Sequence, residues 1–183
     1  DIDAAEINKN VPADVGIVGS VKDVLRELTP LIEQRSYPAW MEQINEWRAD
    51  TKAHDVLNVE LPENMLLAPH VMRAIWEETQ GQCTICTDVG QHQMWETQYF
   101  QHTRKNQLIT SGGLGTMGFG LPSAMGAKVA RPDETVICVA GDGSLIMTVQ
   151  ELATCVTENI PVKVFIMNNG YLGMVRQWQE LFW

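Results

Sequence analysis

Residues 60–183 predict a doubly wound α/β fold: a mostly parallel sheet with helices on both faces. Three observations carry this. Runs such as Thr135-Val136-Ile137-Cys138-Val139-Ala140 are apolar throughout rather than alternating, which suits strands buried on both faces. They alternate with helical stretches of roughly 10–15 residues, the spacing of crossover connections. Glycine-rich loops follow the strands, and open α/β sheets bind ligands beyond the carboxyl ends of their strands.

In chain order, Val15-Gly16-Ile17-Val18 reads as a short strand, and Gly19-Ser20 turns the chain with Ser20 as a candidate N-cap. Val21, Val24, Leu25, Leu28, Leu31 and Ile32 then mark one helical face. So small a helix does not bury that stripe alone, so its sheet is expected upstream of Asp1. Ser36 to Asn58, with Trp40, Trp47 and Arg48, reads as a linker helix, and Pro38 suits its start. Three parts follow: 1–35 as the end of one α/β domain, 36–59 as a linker and 60–183 as a second domain. In the second domain Val71, Ile75 and Trp76 mark a helix, Cys83 to Thr87 a strand, and His92 to Phe100 a helix. Leu108 to Thr110 is a short strand, and the glycine-rich loop Gly112 to Gly120 opens a helix that runs to Ala130. The strand Thr135 to Ala140, a helix over Met147 to Glu158 and a strand over Val162 to Met167 complete the pattern.

Composition narrows the function. With 45% apolar and 20% charged residues the chain reads as a soluble globular protein. A formal net charge of −10 argues against a nucleic-acid partner, which needs clustered Lys and Arg. No apolar run approaches the ~20 residues that span a bilayer. Both ends read as cuts in a longer chain: no initiator Met precedes Asp1, and Leu181-Phe182-Trp183 carries no helix-ending signal.

Cys83 and Cys86 form a Cys-x-x-Cys, a spacing known from zinc and redox sites. They lie on a strand, where residues three apart point to opposite faces. No second close pair completes a tetrahedral zinc site. All four cysteines, with Cys138 and Cys155, are therefore expected as reduced structural thiols, which fits an intracellular protein.

Two strand-end loops carry the chemistry. Gly141-Asp142-Gly143-Ser144 follows one strand and Asn168-Asn169-Gly170-Tyr171 the next. Mg²⁺ takes six oxygens, few of them from carboxylates and others from phosphate. Asp142 offers a carboxylate, Asn169 an amide oxygen and Tyr171 a backbone carbonyl. Gly143 and Ser144 open a helix whose free amides attract phosphate. Taken singly, each loop is a common turn; together, one helix and one strand apart, they suggest a diphosphate held through a metal. The loop Gly113-Leu114-Gly115-Thr116-Met117-Gly118 spells the dinucleotide fingerprint, but a lone fingerprint is weak and would leave Asn168-Asn169 unexplained.

Gly141-Asp142-Gly143, the 24 residues Ser144 to Met167, and Asn168-Asn169 resemble the signature of the thiamine-diphosphate-dependent enzymes. Val89-Gly90-Gln91-His92-Gln93-Met94-Trp95, Ser111 to Gly118, Gln150-Glu151-Leu152-Ala153-Thr154 and Gly173-Met174-Val175-Arg176-Gln177-Trp178-Gln179 look like the acetohydroxyacid (acetolactate) synthase family within it. Asp1 to Gly19 is similar to the close of that family's central, FAD-binding domain.

The resemblance implies that Asp142, Asn169 and the Tyr171 carbonyl bind Mg²⁺. It places Gly143 and Ser144 on the diphosphate of thiamine diphosphate, with Gly90, Gln91 and His92 beside it. The Gly115 carbonyl accepts from the aminopyrimidine, and Met117 props the cofactor in a bent form that makes proton removal intramolecular. Met174 and Trp178, four apart on one helical face, line the acceptor and herbicide channel. The implied reaction decarboxylates pyruvate and joins the remaining two-carbon unit to a second 2-keto acid, pyruvate or 2-ketobutyrate, on the way to valine, leucine and isoleucine. The resemblance further implies FAD bound mostly upstream of Asp1, a homodimer or tetramer of catalytic subunits, a possible regulatory small subunit and a bacterial-type cytoplasmic location, any transit peptide lying outside these residues. The family's catalytic glutamate is not in this chain, so the chain alone is expected to be inactive. The alternatives are another thiamine enzyme, a pyruvate oxidase or decarboxylase, and a non-catalytic diphosphate-binding module.

Overall fold

A computed structural model describes residues 1–183, which divide into two compact units, Asp1–His54 and Asp55–Trp183.

In the first unit a 3-10 turn, Ala4–Glu6, is capped by the Asp3 carboxylate, which accepts from the Ala5 N–H at 2.9 Å. Helix α1 (Val21–Leu28) runs into a 3-10 turn, Thr29–Leu31, and α2 spans Pro38–Ala53 with Pro38 at its first position. Ser20 is the N-cap residue, but its side chain makes no capping bond; its carbonyl accepts from Asp23 and Val24 instead. The strand expected over Val15–Val18 does not form. Its only backbone bonds to a distant segment are Asp1 N to the Ile17 carbonyl at 3.0 Å and Gly19 N to the Asp1 carbonyl at 2.8 Å. A strand requires a ladder of partners, and one residue does not provide it. No residue of α1 or α2 is buried, and the apolar stripe from Val21 to Ile32 stays largely in solvent. Helix α2 also stops short of the Asn58 expected. The chain turns at His54, and the Asp55 carboxylate caps a separate 3-10 turn, Val56–Asn58, through Leu57 N at 2.9 Å.

The second unit holds the sheet. Strands β1 (Cys83–Thr87), β2 (Leu108–Thr110), β3 (Thr135–Ala140) and β4 (Lys163–Ile166) are all parallel, in the order β2-β1-β3-β4. The β1–β3 register sets Cys83 against Thr135 and Cys86 against Cys138. The period of two then sorts side chains to two faces. Cys86, Val136, Cys138 and Ala140 pack under α5 (Gly120–Ala130) with Leu121, Ala124 and Met125. Cys83, Ile85, Ile137 and Val139 face α3 (Ala68–Thr79) and α4 (Gln91–Tyr99) with Met72, Ile75 and Phe100. Burying side chains of this size contributes about 1.5–3 kcal/mol each. Cys83 and Cys86 thus lie on opposite faces, and all four cysteines are free thiols.

Crossovers between strands are helical, as the pattern requires, with one correction. The helix expected over Met147–Glu158 forms only over Glu151–Thr157 (α7); Met147 and Thr148 belong to a 3-10 turn (Ile146–Thr148) that follows a separate short helix, α6 (Asp142–Leu145). Thr148 donates its hydroxyl to the Gly118 carbonyl at 3.1 Å, a tertiary tie at the break. Helix α8 (Gly173–Phe182) ends the chain. No helix is long and apolar enough to cross a membrane.

Neighbours in the sheet also explain where a site belongs. From β1 the chain passes outward to β2 on one side, and the later strands β3 and β4 lie on the other. The strand order therefore reverses between β1 and β3, and a crevice opens at such a switch point.

Candidate functional site

A cavity of about 210 Å³ lies beyond the carboxyl ends of β1, β3 and β4. It is lined by the residues after β1 (Val89, Gly90, Gln91, His92), two from the glycine loop (Gly115, Met117), those after β3 (Gly141 to Ser144) and those after β4 (Met167, Asn169 and Tyr171 to Val175). All the residues expected to meet a diphosphate, a metal or an aminopyrimidine line this one space, and Met174 joins them. Trp178 does not: it is 62% exposed and packs on Phe182 with ring centroids 4.9 Å apart.

The floor is rigid because of a residue that the sequence did not single out. Asp88, directly after β1, is fully buried. Its Oδ1 accepts from Val89 N at 2.8 Å and Gly118 N at 2.9 Å, and its Oδ2 accepts from Gly120 N at 2.8 Å. Charge-assisted bonds of this kind are the strong ones, and a buried carboxylate needs them. They tie the glycine loop to the end of β1. Gly120 has no room for a side chain, since a Cβ there would lie 2.8 Å from the Asp88 backbone nitrogen. Gly115, at φ +64°, holds a left-handed conformation open mainly to glycine. The available signal for Asp88 was its place: an acidic residue just past a buried strand of a parallel sheet.

His92, the second residue of α4, is buried, with its ring between two glycines. A Cβ on Gly90 would lie 2.6 Å from its Cε1, and one on Gly141 3.1 Å. A hydrogen bond to the Asp88 backbone holds the ring, and Nε2 is buried without a partner in the protein. Burial pushes the imidazole below its ordinary pKa, opposed by the carboxylates of Asp88 and Asp142. An unsatisfied buried nitrogen at a cavity wall fits a polar ligand.

After β3, Gly141 caps α6, and the Ser144 hydroxyl is engaged with Gly141 on both sides, accepting from its N–H at 3.2 Å and donating to its carbonyl at 3.1 Å. What Ser144 keeps free for a ligand is its backbone N–H, one of those left unpaired in a first helical turn. Asp142 is exposed at the head of this turn. After β4, two successive side-chain turns shape the loop. Asn168 Oδ1 accepts from Gly170 N at 2.9 Å, and Asn169 Oδ1 from Tyr171 N at 3.1 Å. Gly170 is left-handed at φ +73°. Arg176 lies over the Tyr171 ring, 4.1 Å from its centroid.

No group of three His, Cys, Asp or Glu side chains is placed to hold a metal. What the cavity offers is one carboxylate, of Asp142, side-chain amide oxygens of Asn169 and Gln91, and backbone carbonyls. That set is too weak for zinc but suits a hard cation whose remaining oxygens come from phosphate. The orphaned His92 Nε2, the glycines and this oxygen set fit a metal-bound diphosphate.

Such a site, at the switch point of a parallel sheet, defines a diphosphate-binding α/β domain. Residues 88–183 match the family described as thiamine pyrophosphate enzyme, C-terminal TPP binding domain, and the chain belongs to that family. Over its whole length it is 42% identical to the acetolactate synthase isozyme 3 large subunit and 43% identical to the isozyme 2 large subunit, both of Escherichia coli (strain K12). It is likewise 43% identical to acetolactate synthase 1, chloroplastic, of Nicotiana tabacum. The chain spans 32%, 32% and 28% of those relatives, respectively, about a third of their length.

Proposed function

We propose that this chain is the part of an acetolactate synthase catalytic subunit that holds thiamine diphosphate through Mg²⁺. The observation that carries this reading is convergence: Asp142, Asn169 and Tyr171 share one cavity with His92 and the Gly115–Met117 loop. Likeness to acetolactate synthases along the entire chain supports it over the dinucleotide, decarboxylase and non-catalytic readings.

In this reading Asp142, Asn169 and the Tyr171 carbonyl supply three of the oxygens around Mg²⁺. The amides of Gly143 and Ser144 and the ring of His92 meet the diphosphate, with Gly90 and Gln91 beside them. The Gly115 carbonyl accepts from the aminopyrimidine amino group, and Met117 supports the bent form. Bound thiamine diphosphate supplies an electron sink for decarboxylation of a 2-keto acid. Met174 faces the acceptor; Trp178, one turn along α8, lies outside this cavity and in the whole enzyme favours the larger acceptor, 2-ketobutyrate, from the channel beyond it. FAD, association into dimers or tetramers, a regulatory subunit and a cytoplasmic setting belong to the whole enzyme, as does turnover itself, which needs residues outside this chain.

Calorimetry of the protein with thiamine diphosphate tests the reading. Saturable binding that requires Mg²⁺ is expected. No binding in the presence of the metal would overturn it.

A further inference from the structure

Gln91, the first residue of α4, reaches across the cavity. Its Oε1 accepts from Asn169 Nδ2 at 3.0 Å, and its Nε2 lies 3.4 Å from Gln177 Oε1 on α8. The fit is close: a Cβ on Gly173 would come within 2.0 Å of Gln91 Oε1, so only glycine at the head of α8 leaves room for this amide.

A side-chain amide has an oxygen end and a nitrogen end of nearly equal shape, and rotation by half a turn exchanges them. For a metal ligand the difference is decisive, because the oxygen attracts a cation and the NH₂ group repels it. Asn169 is exposed, and its other hydrogen bond, accepted from Tyr171 N, lies within its own loop. The one contact that fixes its amide from outside that loop is Gln91.

We propose that Gln91 is a positioning residue for the metal: by accepting from Asn169 Nδ2 it keeps Asn169 Oδ1 turned to the cation, and through Gln177 it couples α8 to the same loop. This rests on the Mg²⁺ assignment above. Outer partners of this kind typically contribute 10–100-fold to metal affinity.

The test titrates Mg²⁺ into the protein at saturating thiamine diphosphate and reads the midpoint by calorimetry, for wild type, Gln91→Ala, Asn169→Asp and the double variant. Gln91→Ala should raise the midpoint roughly 10-fold or more. The carboxylate introduced by Asn169→Asp has an oxygen at both ends and needs no orienting, so Gln91→Ala should cost roughly threefold or less when added to Asn169→Asp. Thermal unfolding of each variant identifies any that fails to fold. An equal cost of Gln91→Ala in both backgrounds would mean that Gln91 acts directly on the diphosphate, and the positioning role is overturned. No effect of Gln91→Ala on the wild-type midpoint overturns it as well. Absence of Mg²⁺-dependent binding in wild type overturns the functional reading and this proposal together.

Discussion

The two walls of the cavity are built differently. One stands on the ends of β1 and β3, where five of the six residues of β3 are buried and Asp88 is sealed beneath the glycine loop. The other stands on β4, whose outer residues Lys163 and Ile166 are exposed, and on α8, which buries nothing. In the first wall a carboxylate binds three backbone N–H groups, and the glycines fit round a histidine ring. In the second, side-chain turns of Asn168 and Asn169 and the reach of Gln91 do the holding. Buried apolar contact is what makes a region stiff, and its absence leaves a region cheap to open. The wall assigned to diphosphate and aminopyrimidine is therefore preformed, while two of the three residues proposed for the metal, Asn169 and Tyr171, lie on a wall that a ligand must help to order.

The largest expected effect separates chemistry from stability. Asp142 is exposed and is the only carboxylate that lines the cavity. Asp142→Ala should abolish Mg²⁺-dependent binding of thiamine diphosphate while changing unfolding free energy by no more than about 0.5 kcal/mol. Cofactor affinity that survives the change would remove Asp142 from the metal set.

Asp88→Ala attacks the stiff wall and should do the reverse. It leaves the N–H groups of Gly118 and Gly120 buried without their acceptor, at about 1–3 kcal/mol each. Denaturant unfolding should show a loss of about 2 kcal/mol or more, with Asp88→Asn milder. A loss near zero would mean that the loop does not depend on this carboxylate.

Hydrogen exchange addresses the comparison directly. On adding thiamine diphosphate and Mg²⁺, amides from Asn169 to Trp178 should gain protection, while Val136 to Ala140, already sealed in the sheet, should not change. Equal protection of the first segment in both states would uncouple it from the cofactor.

The smallest effect comes from the thiols. Burial pushes Cys86 to about 11 and Cys138 to about 12. A thiol whose pKa is raised by folding stabilises the fold below its ordinary value near 9 and loses that contribution as pH climbs toward the raised value. Stability should thus decline from pH 9 upward, and Cys138→Ala should flatten the decline. In the folded state at pH 8 an alkylating reagent should modify half-exposed Cys155 before Cys86 or Cys138. Modification of Cys138 first would contradict the burial of β3.

Much of this fold was legible because its strands and helices have distinct periods. The run Thr135 to Ala140 needs cover on both faces, and the parallel arrangement follows from the helical crossover that leads to Val162–Met167. The loops proposed to hold the metal drew notice because a carboxylate and an amide recur after consecutive strands. Val15–Val18 misled because a local pattern states readiness to pair, while a strand exists only where another backbone meets it. The break before α7 was missed for a related reason: Met147 to Glu158 contains no Gly or Pro to interrupt a helix, but Thr148 is bonded to Gly118, thirty positions away.

The sequence alone determined the class of fold, the parallel sheet and the two loops around Asp142 and Asn169, because these depend on periodicity and on chemistry gathered at strand ends; Gly90 to His92, Gly115, Met117 and Met174 were reached through family resemblance. Tertiary structure alone decided that Asp88 is the buried anchor of the glycine loop, that His92 is sealed with one nitrogen unpartnered, and that Gln91 rather than solvent holds Asn169. It also left Trp178 outside the cavity although Met174, one turn away, lines it. Burial and amide orientation are properties of what lies opposite a side chain, and in this chain those partners come from segments 30 to 78 residues distant.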